Sequence, residues 1–193
     1  GGGNSAEQAA NNAEALRQKQ LEADRKLEEA RIEIMTEGYA KRKALLDLQH
    51  KRNLDAIDRE EQELIKARKK AGKGGLSQAE KDGFAERRNL ENQDYTMEGN
   101  KLFDAEIQYR RKEYAAYWQW VRNVGKDVAD EHFKDLIAEG TGFSSWVEKQ
   151  ITALEQKRAT QPELFSDGDA TALNSLKQQQ HEILGNKSAL DLF

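Results

Sequence analysis

Apolar residues between Glu14 and Lys70 recur in steps of three and four, and strict alternation is found nowhere along this stretch. Steps of this kind, with a mean of about 3.6 residues, predict an amphipathic helix and exclude a strand. The stretch has no proline and a single glycine, Gly38. We therefore predict one unbroken helix over 14–71, preceded by a flexible lead-in of small polar residues at 1–13.

The main face of this predicted helix mixes apolar and polar residues. Its apolar members, which we predict to form a helix–helix seam, are Ile32, Met35, Tyr39, Leu46, Ile57 and Leu64. Its polar members are Arg42, His50, Asn53, Glu61 and Arg68. Polar residues in a seam weaken the pairing of helices but make register and partner choice more specific.

A second apolar line lies to one side of the main face. It consists of Leu16, Leu27, Ile34 and Leu45. A two-stranded seam does not need this additional apolar surface. We therefore expect the helix to contact more than one neighbour.

A glycine-rich turn at 72–76 separates this helix from a second one. Ser77 and Glu80 have the spacing of a capping box, which predicts a helix start. The second long helix is predicted over 77–140, and Gly125 could introduce a kink. A short turn between two long helices favours an antiparallel hairpin.

Aromatic residues concentrate in the second half of the chain. The seam members predicted for the second helix are Phe103, Ile107, Tyr114, Trp118 and Val121. Aromatic residues at helical spacing favour core packing over a ligand pocket. Shorter helices are predicted over 141–193, and because the sequence stops at Leu192 and Phe193, within apolar residues, we interpret its C-terminus as truncated.

These elements predict an all-α fold: a long antiparallel helical hairpin, coiled-coil-like, followed by shorter C-terminal helices. The composition agrees, with 34% charged and 37% hydrophobic residues and one proline. The net charge of −4 gives no reason to expect nucleic acid or an anionic membrane as a partner. No apolar run reaches the roughly 18 residues that a membrane span requires, so we expect no membrane contact by this segment.

Catalytic or metal-binding chemistry is not indicated by any motif. The chain has no cysteine, and His50, His132 and His181 are far apart without a partner histidine one helical turn away. None of the three has the Glu-x-x-His spacing of a di-iron bundle. We predict no catalytic residue, no cofactor, no metal and no small-molecule substrate, and a helical-bundle enzyme is the least favoured of the alternatives.

Three segments resemble tail tape-measure proteins of phages and prophages of gut Bacteroidales-type bacteria. They are Met35-Thr-Glu-Gly-Tyr39, Leu54-Asp-Ala-Ile57-Asp-Arg-Glu60-Glu61, and the glycine-rich break before Leu76-Ser77-Gln78-Ala79-Glu80. The resemblance extends over about residues 14–155 and becomes weaker toward its end. It implies a structural segment that helps set tail length and assembles in the bacterial cytoplasm into the virion tail.

The resemblance also implies partners, namely tail-tube or assembly-chaperone proteins, in addition to self-association through the helices. A ruler must be extended, whereas the glycine turn predicts a chain that folds back on itself. We expect that the assembled tail need not contain the hairpin. The alternative interpretation is a coiled-coil scaffold or stalk for protein–protein interaction, which the same helices would serve.

Overall fold

The computed structural model describes the chain from residue 2 to residue 190. Over this range the chain forms α-helices and no strand. The helices are α1 (Gly2–Glu33), α2 (Tyr39–Lys70), α3 (Gln78–Val124), α4 (Lys126–His132), α5 (Lys134–Ala138), α6 (Phe143–Thr160) and α7 (Asp167–Leu190), with a 3-10 turn at Pro162–Leu164. The predicted all-α fold is confirmed. Gly1 of the predicted lead-in and the terminal Leu192 and Phe193 lie outside the described residues.

The chain divides into two compact units, Gly1–Tyr95 and Thr96–Phe193. Helices α1 and α2 and the first part of α3 belong to unit 1. The rest of α3 and helices α4 to α7 belong to unit 2.

In unit 1, α2 packs antiparallel to both α1 and α3. Along α2, Lys51 pairs with Glu28 and Asp55 pairs with Arg25, so the partner number in α1 falls as the number in α2 rises. The same relation holds toward α3, where His50 contacts Glu91 and Arg68 contacts Glu80. The predicted long antiparallel hairpin is therefore present as α2 and α3.

The predicted single helix over 14–71 differs from the structure, which has a break between Glu33 and Tyr39. Gly38 has φ 154° and ψ −171°, a conformation that only glycine adopts readily. Glycine in a helix interior is less favourable than alanine by about 1 kcal/mol, so ending a helix here loses little. The break lets α1 fold back on α2 and bury Ile32 and Leu48.

The predicted flexible lead-in is also helical from Gly2 onward. Four alanines, Ala6, Ala9, Ala10 and Ala13, lie among its small polar residues. Alanine has the highest intrinsic helix propensity, and a helix propagates more easily than it nucleates. The first turns of α1 thus extend the helix that Glu14 and the following residues form.

The turn between α2 and α3 follows the predicted chemistry. Gly72 and Gly74 have φ values of 71° and 70°, which suit glycine at a helix C-terminus. At the start of α3, the Ser77 amide donates to Glu80 Oε1 at 2.9 Å and the Glu80 amide donates to Ser77 Oγ at 3.2 Å. This reciprocal pair is the predicted capping box.

In unit 2, the predicted helix over 77–140 ends earlier, at Val124. Gly125, with φ 92°, ends α3 and begins α4, and α5 follows. Helices α6 and α7 pack antiparallel, because Lys157 pairs with Asp169 and Glu155 pairs with Lys177. The core residues of unit 2 are Phe103, Ile107, Tyr114, Tyr117, Ala129, Leu136, Trp146, Val147, Ile151, Leu173 and Leu176.

Within the described range, none of the helices contains a stretch that is long and apolar enough to cross a bilayer.

Candidate functional site

A polar network joins α2 to α3 in unit 1 and is the most developed side-chain constellation of that unit. Its members, which we call the polar network, are Lys43, Asp47, His50, Asn53, Glu91 and Tyr95. Four of them lie on α2 in steps of three and four, and Glu91 and Tyr95 lie one turn apart on α3. The helical period therefore places all six along one contact line.

Glu91 is the centre of the first half of this network. His50 Nδ1 lies 3.0 Å from Glu91 Oε1, and Asn53 Nδ2 donates to the same oxygen at 3.1 Å. The side chains of His50 and Glu91 are only 17% and 16% exposed. One carboxylate oxygen of Glu91 therefore contacts two of the five polar residues of the predicted seam face.

Tyr95 is the centre of the second half. Its ring stacks on His50 with centroids 4.2 Å apart. Its hydroxyl donates to Asp47 Oδ1 at 2.6 Å, and Lys43 Nζ donates to the hydroxyl oxygen at 2.7 Å and also to Asp47. These contacts connect the two halves of the network through the stacked rings.

The surroundings shift the pKa values of two network members. Burial raises the pKa of the Tyr95 hydroxyl, and the hydrogen bond to the Asp47 carboxylate raises it further. Burial by itself lowers the pKa of Lys43, but its hydrogen bonds to Asp47 and Tyr95 outweigh burial and the pKa is raised. Tyr95 is neutral and Lys43 is charged at neutral pH even at their ordinary pKa values, and both shifts favour these forms further, which are the forms that the hydrogen bonds require.

Two further polar residues of the predicted seam also reach α3. Glu61 pairs with Arg88, which also lies 2.7 Å from Asp58. Arg68 Nη1 lies 2.8 Å from Glu80, and Arg68 Nε donates to the carbonyl of Gly75 at 2.8 Å. The polar residues of the α2 seam thus meet matched partners along much of the hairpin.

The polar network favours one register of α2 against α3. Exposed ion pairs contribute only about 0–1 kcal/mol each to stability. A half-buried donor or acceptor that loses its partner instead costs about 1–3 kcal/mol. Sliding α3 by one turn would separate Glu91 from His50 and Asn53, so the network penalises wrong registers more than it stabilises the correct one.

The contact between α1 and α2 is also largely ionic. Arg25 Nε donates to Asp55 at 2.9 Å, and Lys51 lies 2.6 Å from Glu28. A groove of about 410 Å³ lies beside these pairs, with Arg25, Asp55 and Arg52 in its wall. Because Arg25 already pairs with Asp55, and Arg52 with a carboxylate of α1, these cations serve the packing of the two helices.

Unit 2 contains a buried carboxylate that the sequence did not single out. Glu106 is 4% exposed and accepts a hydrogen bond from Arg110 Nε at 2.7 Å. Arg110 also lies 2.6 Å from Glu139 and packs over the ring of Trp146 at 5.6 Å. The Arg110 guanidinium thus balances the buried negative charge of Glu106 and connects α3 to the end of α5 and to α6.

A second polar contact in unit 2 holds α4 against α3. Tyr117 donates to Asp130 Oδ1 at 2.5 Å, and Lys126 also pairs with Asp130. The bonds from Lys126 and Tyr117 lower the pKa of the Asp130 carboxyl. Next to this contact, Trp120 stacks on His132 with ring centroids 4.0 Å apart.

The residues of the predicted helix–helix seam differ in burial. Five are buried: Ile32, Ile57, Phe103, Ile107 and Tyr114. Five are half-buried: Met35, Tyr39, Leu46, Leu64 and Val121. Trp118 is 44% exposed, because the neighbouring Tyr117 takes the inward position, with its ring against Phe133 and its hydroxyl on Asp130.

Sequence reasoning missed Leu48, which is 2% exposed. Leu48 lies one turn before Lys51 and Arg52, on the side of α2 that contacts α1. A prediction that treated α1 and α2 as one helix had no neighbour for this side. The second apolar line did not identify this side, because its members Leu16, Leu27, Ile34 and Leu45 are all exposed in the structure.

Within the part of the chain that the structure describes, no group of three or more His, Asp or Glu side chains is arranged to hold a metal ion. The polar network satisfies its hydrogen bonds between α2 and α3, and Glu106 pairs with Arg110 within α3, so both groups serve the packing of helices inside their own unit. The chain matches no protein-family model, no curated protein and no solved structure.

Proposed function

We propose that this chain is a structural segment of a phage or prophage tail tape-measure protein, where its helices convert chain length into distance. The observation that carries the proposal is that the three segments of sequence resemblance fall on the α1–α2 break, on α2 and on the α2–α3 turn. An α-helix rises about 1.5 Å per residue whatever its sequence, which suits a ruler. The charged outer surfaces and register-specific contacts also suit a part that assembles with other proteins.

The folded-back arrangement is compatible with a ruler because it is held by modest contacts. The α1–α2 contact depends on ion pairs of about 0–1 kcal/mol each and on a few buried apolar residues. The reversals lie at glycines, namely Gly38 and the pair Gly72 and Gly74. Contacts with tail-tube or chaperone proteins would open these bends and align the helices end to end.

The test is a change in chain length within the tail. An in-frame duplication of the 47 residues of α3 in the encoding phage is expected to lengthen the tail by about 70 Å if the inserted helix is extended. The control is a phage whose chain keeps its length and carries Leu90→Ala, an exposed position, and its tails should have ordinary length. Electron micrographs in which both phages have tails of equal length would refute the proposal.

The second candidate function is a coiled-coil scaffold or stalk for protein–protein interaction. It is favoured by the polar network, since a register-specific hairpin is useful in any assembly. Genes neighbouring the coding sequence separate the two candidates. Tail-tube, baseplate or terminase genes beside it support the tape-measure segment, and a neighbourhood without them supports the scaffold.

A further inference from the structure

Helix α1 continues into α2 through a bend at residues 34–38 and lies back along α2. Gly38, at φ 154°, stands at the end of this bend, and a Cβ added there would meet no atom within 4 Å. The bend is therefore not fixed by packing around Gly38. The contacts that hold α1 against α2 come from side chains at the bend and along the two helices.

Lys41 makes a contact that only the bent chain allows. Its Nζ donates to the Glu33 carbonyl at 3.3 Å and to Glu37 Oε1 at 2.7 Å. In a continuous helix the Glu33 carbonyl would instead accept a bond from the amide of Glu37, four residues further on, and Lys41 would lie about 12 Å away along the axis. The bond from Lys41 to Glu33 therefore stabilises the bent form alone.

Three ion pairs between the helices, which we call the ionic latch, hold α1 along α2. They join Arg25 to Asp55 at 2.9 Å, Glu28 to Lys51 at 2.6 Å and Glu29 to Arg52 at 2.6 Å. Arg25 and Asp55 are half-buried, whereas the side chains of Lys51 and Arg52 are more exposed. Salt in the solvent can therefore weaken at least two of the three pairs.

Apolar burial in this contact is concentrated near the bend, at Ile32 and Leu48. Farther along α1 the less exposed residues are Gln18, Leu21 and Arg25, and none of these three is fully buried. Gln18 Oε1 is itself shielded from solvent and has no hydrogen-bond partner among the described residues, which costs free energy in the docked form. Charge therefore contributes a larger share of the contact far from the bend than near it.

The contacts between α2 and α3 use other residues of α2. His50 and Asn53 contact Glu91, and the buried Ile57 lies one turn beyond Asn53 on the same side of the helix. Separation of α1 from α2 would leave these contacts in place. The α2–α3 hairpin can therefore stay closed while α1 moves.

We propose that α1 is a releasable arm whose docking on α2 is controlled by charge. The ionic latch and Lys41 hold the docked form, and reversal or screening of their charges frees the arm while the α2–α3 hairpin stays closed. Release uncovers the side of α2 that carries Leu48, Lys51 and Arg52. The proposal concerns unit 1 alone and holds whether or not the chain is a tape-measure segment.

The test measures spin-label distances in the full 193-residue chain, which has no native cysteine. Labels at Ala13→Cys and Ala67→Cys report on the arm, because both alanines are exposed and the antiparallel pairing of Arg25 with Asp55 places them opposite each other. Labels at Gln49→Cys and Gln93→Cys report on the hairpin beside the contact of His50 with Glu91. Every chain also carries Leu48→Ala, which brings the docked and released forms close enough in free energy to measure both.

A charge exchange tests the ionic latch. Asp55→Arg turns the attraction to Arg25 into a repulsion and should raise the ratio of released to docked arm at least about tenfold. Adding Arg25→Glu restores an attraction with the signs exchanged and should return this ratio to within about threefold of its starting value. Asp94→Arg is the matched control, because it makes the same change of charge at an exposed position of α3, and it should leave both distances unchanged.

Two further measurements test the bend and the effect of salt. Lys41→Met keeps a long side chain but removes the donor to Glu33, and it should raise the released fraction at least about threefold. Raising NaCl from 0.1 M to 1 M shortens the screening length from about 10 Å to about 3 Å. In the chain without a charge change, this should also raise the ratio of released to docked arm at least about threefold.

Three results would overturn the proposal. One is an unchanged arm distance in Asp55→Arg, and another is a released arm in the double exchange although circular dichroism shows unchanged helicity. The third is a hairpin distance that lengthens together with the arm distance, which would show a general loosening of unit 1 instead of a releasable arm.

Discussion

Gly38→Ala tests whether the reversal between α1 and α2 depends on a glycine. At φ 154° and ψ −171° an alanine is strained by about 1–3 kcal/mol. In a continuous helix the same alanine is favoured over glycine by about 1 kcal/mol. The substitution should therefore shift the balance from the bent toward the straight form by about 2–4 kcal/mol, or roughly 30- to 700-fold.

The contacts between α1 and α2 oppose this shift. Ile32 and Leu48 are 4% and 2% exposed, and burying each contributes about 1.5–3 kcal/mol. The ion pairs add about 0–1 kcal/mol each. Gly38→Ala by itself should make the straight form detectable, and addition of Leu48→Ala, which removes about 2–5 kcal/mol, should make it the main form.

A spin-label distance reports the outcome directly, and the absence of native cysteines makes the labelling simple. Labels at Ala23→Cys and Ala56→Cys lie on antiparallel helices in the bent form, whose axes are about 8–10 Å apart. In a straight helix the same positions are about 50 Å apart. Gly83→Ala is the control, because Gly83 lies within α3 without a positive φ and its Cβ would contact nothing within 4 Å. A short distance that persists in Gly38→Ala with Leu48→Ala would refute the reasoning.

Three further predictions concern stability, each measured by chemical or thermal unfolding. Glu91→Ala should destabilise unit 1 by about 1–2 kcal/mol, and a double-mutant cycle with Asn53→Ala should give a nonzero coupling energy; full additivity would contradict the shared hydrogen bond. Ile107→Ala removes a side chain that is 1% exposed and should lower the free energy of unfolding by about 2–5 kcal/mol. Leu164→Ala removes a side chain that is 57% exposed and should change it by no more than about 0.5 kcal/mol. Equal losses would contradict the assignment of Ile107 to the core. Burial alone would raise the pKa of Asp169, but hydrogen bonds from Lys157 and Ser166 outweigh burial and the pKa is lowered in the folded state. The ionised carboxylate therefore stabilises the fold above pH 3.8, and this stabilisation is lost as the pH falls through the lowered pKa. Asp169→Asn should therefore lower the melting temperature at pH 7, and this loss should become smaller as the pH falls below 3.8 toward the lowered pKa. A loss that does not change with pH would show that ionisation is not the cause.

The sequence predicted the helices and the turn after α2 because local chemistry decides both. Gly72 and Gly74 end a helix and Ser77 with Glu80 begins one, without reference to distant residues. Local sequence did not predict the break at Gly38, because Gly99 weakens a helix by the same amount and α3 nevertheless continues through Gly99. The two glycines differ in the packing that follows from a chain reversal. A reversal at Gly38 brings α1 against α2.

The sequence indicated which polar residues of α2 lie at the candidate site but did not indicate their hydrogen-bond partners on α3. His50 and Asn53 were among the five polar residues of the predicted seam face, but their common partner Glu91 follows from the register of two helices. A single sequence does not fix that register. Glu106 was missed for a related reason, because one buried carboxylate among 35 acidic residues has no local signature.

The orientation of α1 explains why its apolar line remains exposed. Rotating α1 by roughly half a turn would bury Leu16 and Leu27 against α2. The side of α2 that faces α1, however, presents Lys51, Arg52 and Asp55, and these would then lose Glu28, Glu29 and Arg25. Charged residues on α2 therefore determine which face of α1 packs against α2, and Leu16 and Leu27 stay exposed.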